Sequence, residues 1–440
     1  MTPSSRNWVA DRSIPVQSFV VDVLVVGAGI GGLTAALSLH AAGIGVRVVD
    51  AAHELTALGV GINILPHATR ELVALGLANE LAGTGIPTEE LIYHDRFGGR
   101  ICVEPRGLAA GYRWPQYSIQ RGELQLLLLR AARDRLGAGA VRAGLVLERF
   151  ELQGVQVVVE LRDRRTGRLV IDRADVLIGA DGVNSAVRAQ LHPQEGPPIW
   201  NGIHLWRGLA DSSPFLGGRT MIVSGSDPTV VVYPVSRAAE RRGRSTLNWG
   251  VGARLAQPTA APLGDWHHLG GLDDVLPYVA DRGFDWLDVP ALIRASPRIW
   301  EYPMVDRDPL PRWGTGRVTL LGDAAHPMYP FGSNGGTQAI IDGRVLAWEL
   351  SGADDPAAGL AGYEHARREA MNALVLANRQ RGPERVVQLV EQRAPDGFTR
   401  IEDVMTRDEL DSIAAQYRRM AGFDAETLNA APSWDVAGQL

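Results

Sequence analysis

Residues 21–33 read Val21-Asp-Val-Leu-Val-Val-Gly27-Ala-Gly29-Ile-Gly-Gly32-Leu33. An apolar, β-branched run feeds into Gly27, Gly29 and Gly32, and Thr34-Ala-Ala-Leu-Ser-Leu-His40 continues at helical spacing. The stretch therefore predicts a strand, a glycine turn and a helix. In that context the first glycine permits a tight turn, the second lets a pyrophosphate approach the backbone, and the third lets helix and strand pack closely. The helix N-terminus offers unpaired N–H groups and a positive dipole end to the phosphates. The next strand, Gly45-Val-Arg-Val-Val, ends in Asp50, eighteen residues after Gly32, where a carboxylate can accept the hydroxyls of an adenosine ribose. The expectation is a dinucleotide with an unphosphorylated ribose, as in FAD or NAD.

Composition bounds the rest. At 440 residues the chain suggests two domains and a tail rather than one core. A net charge of −6 supplies no broad basic field, so nucleic acid is not an expected partner. The lone cysteine, Cys102, excludes an intramolecular disulfide framework and any cysteine-built metal site; no metal is expected, and the cytoplasm is the expected compartment. Asp22 and the glycines interrupt the apolar stretch 14–39, and no other uncharged segment reaches membrane-spanning length, so a soluble protein off the membrane is expected. All 44 basic residues are arginines, which removes a Walker lysine, a lysine Schiff base and a lysine amine from consideration.

Taken in order, residues 1–20 read as a flexible leader and 21–190 as the first part of a dinucleotide-binding domain. The segment 58–66, with Val60 and Gly61, is glycine-broken; it suits close approach to a flat ring, or is an ordinary bulged strand. Arg121 stands at the mouth of a helix, as a phosphate partner or a solvated cap. A hairpin is expected at 146–171. Asp181-Gly182 tips another buried strand near the cofactor crevice. Residues 191–310 alternate as short strands and read as a second, sheet-based domain. Seven of the eleven tryptophans lie between Trp200 and Trp313, suited to a stacking pocket, although most are expected in cores. Residues 311–393 return to strand–turn–helix, with Gly322 and Asp323 at a strand end and Gly335-Gly336-Thr337 opening a helix. An acidic helical tail, 394–440, comes last; its stretch 401–420 packs on the first domain or on a second subunit, and a homodimer stays open.

The glycine fingerprint, the G-A-D-G turn at Asp181 and the G-D-A-A-H-P turn at Asp323, in this order, resemble the class A FAD-dependent aromatic hydroxylases, the p-hydroxybenzoate hydroxylase-like family. The stretches L-G-V-G-I-N-I-L-P, P-Q-Y-S-I-Q-R-G-E-L-Q and Y-P-M-V-D-R-D-P-L-P are most similar to the decarboxylating methylphenazine-carboxylate type, with the salicylate type further off. The resemblance implies an α/β fold: a Rossmann-like FAD-binding domain of the glutathione-reductase type, an inserted mixed β-sheet substrate domain and C-terminal helices. It implies that Gly27, Gly29 and Gly32 hold the pyrophosphate, Asp50 the ribose, Arg121 and Asp181 the phosphate side, and Gly322 and Asp323 the ribitol end. Val60 and Gly61 would lie by the ring, and Gly335, Gly336 and Thr337 at its pyrimidine edge. Pro330 and Tyr329, with Gly335 and Gly336, would border the reacting edge. Asp50 stands where the family usually has Glu, and Phe331 and Gly336 alter the loop beside the flavin. His326 reads as a turn histidine rather than a general base.

The same resemblance implies a hydroxylase that consumes NADH or NADPH, held transiently, and O2. A flavin C4a-hydroperoxide would oxygenate a planar aromatic substrate, phenazine- or salicylate-like, with loss of carbon dioxide where the attacked carbon bears a carboxylate. Expected lining residues are His204, Trp206, Tyr233, Trp249, Met304 and Phe331. Alternation puts His204 and Trp206 on one strand face and Arg207 on the other. Arg207 pairs with a substrate carboxylate or with a surface acid, the latter being favoured. A flavin epoxidase or N-hydroxylase, and an FAD-containing ligand-binding protein without turnover, are the alternatives.

Overall fold

The computed structural model describes residues 21–57, 59–257 and 268–436. The expected leader at 1–20, Leu58 of the glycine-broken segment, Trp266 and the last residues of the tail lie outside them. The quoted opening stretch forms the strand Asp22–Val26 and the helix Ile30–Ala41. That strand is the middle of a five-stranded parallel sheet in the order Val318–Leu320, Val176–Gly179, Asp22–Val26, Gly45–Asp50, Val141–Ala143. Its unbroken apolar runs have a reason: Val23, Leu24 and Val25 are fully buried, because parallel strands are covered on both faces. The helix Ile30–Ala41 packs against two others, Arg121–Leu136 and Gly335–Ser351. The expected hairpin at 146–171 is a three-stranded antiparallel meander, Leu145–Gln153, Gln156–Asp163 and Leu169–Ala174.

The second layer is an eight-stranded mixed sheet. From one edge its strands run Leu269–Gly270, Ile299–Asp306, Ile199–Ser212, Ser245–Arg254, Thr229–Pro234, Thr220–Ser224, Glu90–His94 and Arg100–Pro105. Thr220–Ser224 and Glu90–His94 pair in parallel, and the other neighbours are antiparallel. The last two strands come from far upstream of residue 191, so the sheet is stitched into the dinucleotide-binding part of the chain by its own hydrogen bonds. One face carries a compact core of Trp206, Trp249, Val230, Val232 and Val251, closed by the helix Val289–Arg294. Part of the opposite face, around Tyr93, Met221 and Val223, is covered by the helices Arg385–Arg393 and Arg407–Met420. The stretch 401–420 thus docks on its own chain, and the remainder of that sheet face looks across at the first domain.

Candidate active site

The three fingerprint glycines are required for different reasons. Gly27 has φ +110°, and a Cβ there would lie 2.3 Å from the carbonyl oxygen of Ala180; one on Gly32 would lie 2.0 Å from that of Gly27. These two serve packing within the protein. A Cβ on Gly29 would meet nothing within 4 Å. Its bareness keeps open a cleft of about 250 Å³, lined also by Gly31, Val60, Arg121, Asp323 and Gly336. No acidic residue lies in the first turn of either helix that begins at this cleft, Ile30–Ala41 or Gly335–Ser351, and neither has a side-chain cap, so both N-termini present N–H groups and positive dipole ends to it. Asp50 is fixed at the tip of the glycine turn, accepting from Ala28 N–H at 2.6 Å and Ala52 N–H at 2.8 Å. The cleft is open where an extended, anionic dinucleotide needs room, and FAD fits the residues present.

Asp323 is exposed to the cleft, low in its wall. Burial raises its carboxyl pKa, and His326 and Arg121 act against that rise. His326 does not enter the cleft. Its Nε2 lies 2.6 Å from Asp342, which also accepts from Gly322 N–H at 3.1 Å and from Arg367 at 2.8 Å. This buried cluster ties the turn 322–326 to the helix Gly335–Ser351, as expected of a turn histidine.

Two smaller cavities continue from the cleft. One, of about 170 Å³, shares Ile62, Asp323, Gly335 and Gly336 with it and adds Asn63, Tyr233 and Pro330. The next, of about 110 Å³, shares Asn63, Tyr233 and Pro330 and adds Arg207, Asn248, Met304, Phe331 and Glu384. Pro330 therefore stands at the junction. Arg207 donates to Gly61 O at 2.5 Å, and at 3.3 Å to each of Tyr233 Oη, Asn248 Oδ1 and Tyr302 Oη. Every partner is a neutral oxygen. The favoured expectation, a surface acid for Arg207, is overturned: the side chain is enclosed in the cavity wall and keeps its positive charge unneutralised by any of these bonds.

Strand alternation separates the other expected lining residues. Tyr233, Met304 and Phe331 reach the cavity, whereas His204, Trp206 and Trp249 turn to the far face of the sheet. There Trp206 donates to Glu301 at 3.0 Å, Trp249 donates to Ser296 at 2.6 Å, and the His204 ring lies 4.6 Å from that of Trp206. The tryptophans are core, and odd-numbered Ile203, Leu205 and Arg207 face inward. Tyr329 also points elsewhere. It is buried beside Ile203, Met304 and Phe331, and its hydroxyl bonds to Asp306. Asp181 spends its carboxylate on capping: it accepts from Ser185 Oγ at 2.5 Å and from Ala186 N–H at 2.7 Å. Its neighbours Ala180 and Gly182 line the cleft instead. Thr337 likewise uses its hydroxyl internally, accepting from Leu65 N–H at 3.2 Å. Gly61 donates its N–H to Asn248 at 2.8 Å and packs on Tyr233 and Val235 rather than entering the cleft. Sequence reasoning passed over Gly31, Asn63, Asn248, Tyr302 and Glu384. Asn248 carried a readable signal, since it occupies the polar phase of an alternating strand, but Glu384 lies between helices and carried none.

Among the described residues no helix is long and apolar enough to cross a membrane. The family described as "FAD binding domain" matches residues 20–251 and 300–378. The chain is 50% identical over 364 residues to a phenazine 1,6-dicarboxylic acid hydroxylase of Lysobacter antibioticus, covering 82% of this chain and 89% of the relative. It is 31% identical over 360 residues to 3-hydroxybenzoate 6-hydroxylase 1 of Aquipseudomonas alcaligenes, covering 79% and 84% respectively. Among solved structures, Klebsiella pneumoniae HpxO complexed with FAD and uric acid superposes with a TM-score of 0.70 at 25% identity, covering 94% of this chain and 97% of that one.

Proposed function

Because this chain belongs to the FAD-binding monooxygenase family and is an FAD-dependent aromatic hydroxylase, we propose that its substrate is a planar, phenazine-type aromatic carboxylate. The carboxyl group would be lost where it occupies the carbon that is oxygenated. The observation that carries this reading is Arg207, a cation whose hydrogen bonds all go to neutral oxygens, in a cavity whose apolar wall includes Leu205, Met304 and Phe331. A half-buried charge with no counter-ion among its hydrogen-bond partners is costly, and a ligand carboxylate relieves it. The similarity to a phenazine 1,6-dicarboxylic acid hydroxylase points to the same chemistry.

In this reading the N-terminus of Ile30–Ala41 takes the pyrophosphate over Gly29, Asp50 the adenosine ribose and Asp323 the ribitol. The N–H groups at the start of Gly335–Ser351 would hold the pyrimidine end of the flavin, and Pro330 would border the substrate side of the site. Bound FAD, reduced by NADH or NADPH, supplies activated oxygen from O2 for transfer to the ring. The protein's own share is orientation. Arg207 draws the carboxylate inward, Tyr233 and Asn248 hold the guanidinium, and the apolar wall excludes water from the reacting edge.

The test pairs product mass with Arg207→Gln. Purified holoenzyme with NADH, O2 and phenazine-1,6-dicarboxylate should yield a product that has gained one oxygen atom, with or without loss of carbon dioxide. The variant should keep its FAD and lose about 2–4 kcal/mol of carboxylate affinity, roughly 30- to 1,000-fold in Kd. Unchanged affinity in the variant would remove Arg207 as the carboxylate's partner.

A further inference from the structure

The lining of the Arg207 cavity includes a carboxyl group with no task in binding a single carboxylate. Glu384 sits on the short turn Gly382–Glu384, after the helix Pro356–Arg379. Among the described residues, it and Arg207 are the only charged side chains lining that cavity. Both of its carboxyl oxygens stand 3.1 Å from Gly332 N–H. Gly332 belongs to the loop carrying Pro330 and Phe331, so Glu384 touches the substrate cavity and the loop beside the flavin at once.

The charged and titratable groups around Glu384 act on it at longer range. They are Arg106 and Glu104 at the end of the edge strand, Tyr93 on the neighbouring strand, Tyr417 on the helix Arg407–Met420 and Arg381 on its own turn; Arg207 lines the same cavity. Burial pushes the Glu384 carboxyl up to about 7, against the hydrogen bond from Gly332 and the charge of Arg106. A substrate carboxylate on Arg207 adds negative charge to the same enclosed space. An ionised Glu384 would repel it, whereas a neutral Glu384 can donate a hydrogen bond to it.

We propose that Glu384 binds the substrate as a neutral acid, donating its O–H to a second acceptor of the aromatic carboxylate, and so selects ring systems that carry a further carboxylate or ring nitrogen. The inference rests on the carboxylate reading of Arg207. No bond of the ligand breaks: one proton passes from solvent to the Glu384 carboxylate as the ligand enters, and it returns to solvent when the ligand leaves. Glu384 then acts as a specificity residue, and the enzyme's affinity for its substrate depends on pH through this group.

The experiment uses oxidised holoenzyme, with binding read from the perturbation of flavin absorbance. Phenazine-1,6-dicarboxylate, ionised throughout, is titrated between about pH 6 and 9. For the unaltered protein, Kd should rise above pH 7 with a slope approaching tenfold per pH unit, and a pH indicator should register uptake of up to one proton per ligand bound. Glu384→Gln keeps an acceptor for Gly332 and an N–H donor for the ligand but cannot titrate. It should bind with a Kd that is flat across the range and close to the low-pH value of the parent. Phenazine-1-carboxylate and anthracene-1-carboxylate, run alongside, separate a second carboxylate from a ring nitrogen as the acceptor; a pH slope as steep for the anthracene, which has neither, would reflect repulsion of the Arg207-bound carboxylate alone and overturns the proposal. So does a pH-independent Kd in the parent, or an unchanged slope in the variant, and in both cases the Arg207 reading survives. Proton uptake by the parent decides the matter if the variant does not fold. Absence of binding by any of these carboxylates at any pH, with FAD in place, overturns the substrate reading and this inference with it.

Discussion

Gly29 and Gly32 stand three residues apart yet answer to different neighbours, and substitution separates them. Gly32→Ala forces a Cβ to within 2.0 Å of a backbone oxygen and should cost about 3–5 kcal/mol of stability, seen as a lowered melting temperature of the FAD-free protein. Gly29→Ala places its methyl in open space, so the FAD-free protein should melt within a degree or two of the parent while FAD affinity falls at least tenfold by flavin fluorescence quenching. Equal losses of stability in both variants would show that Gly29 too is held by packing. His67 governs a second residue-scale property. Burial, with Arg367 and Arg70 nearby, lowers its pKa from 6.5 to about 3, and burial lowers that of His204 to about 4. Between those values and 6.5 the unfolded chain binds the extra protons, so stability is full above about pH 6.5 and falls on acidification. The expected loss is about 1.4 kcal/mol per pH unit for each histidine inside its window. Urea titrations at pH 7 and pH 5 should show it, and His67→Gln should remove its share of the slope while lowering stability at pH 7.

At the scale of elements, periodicity revealed what formed and concealed which way it faced. Strand Ile199–Ser212 was legible from its alternation, and so was the opposition of Trp206 to Arg207. The inward face is chosen by what covers the sheet, namely the helix Val289–Arg294 on one side and the flavin domain on the other, and neither is local in sequence. Bulky aromatics suggested a pocket, but burying their area without leaving polar atoms stranded is what a sealed core does. The tail helix Arg407–Met420 shows the same limit. Its helical character was visible, yet not that besides the sheet face it reaches the loop at Phe331: Tyr417 Oη donates to Phe331 O at 3.1 Å and meets Asn334 and Asn378 at 2.9 Å. Tyr417→Phe removes these bonds and leaves Asn334 and Asn378 partly unsatisfied. The expected cost is about 1–3 kcal/mol in stability. Because the loop carries Pro330 and Phe331, KM for the aromatic carboxylate should rise several-fold while FAD affinity stays within twofold. A variant with parental KM would show that the helix braces the fold without setting the loop.

For the whole molecule, the opening strand and its glycines were enough to read a dinucleotide domain, and the ordered G-A-D-G and G-D-A-A-H-P turns extended that reading along the chain. The pairing of 90–105 with the second sheet was not legible, since hydrogen-bonding partners more than a hundred residues apart leave no periodic trace. That pairing has a thermodynamic consequence. The sheet's far-face core around Trp206 and Trp249 is separate from the main core around the parallel sheet, and the two parts meet across a cleft lined by Gly29, Arg121 and Asp323 on one side and by Trp300 and Tyr302 on the other. A cofactor filling that cleft binds only the assembled pair, so it stabilises the native molecule by mass action. At free FAD one hundred times its Kd, the gain is about 2.7 kcal/mol. Calorimetry should then show FAD-stripped protein melting earlier and over a broader range, as the two cores lose coupling, and a single sharper transition at higher temperature once FAD is restored. If added FAD left the transition where it was, it would be binding outside the cleft or binding folded and unfolded chain alike.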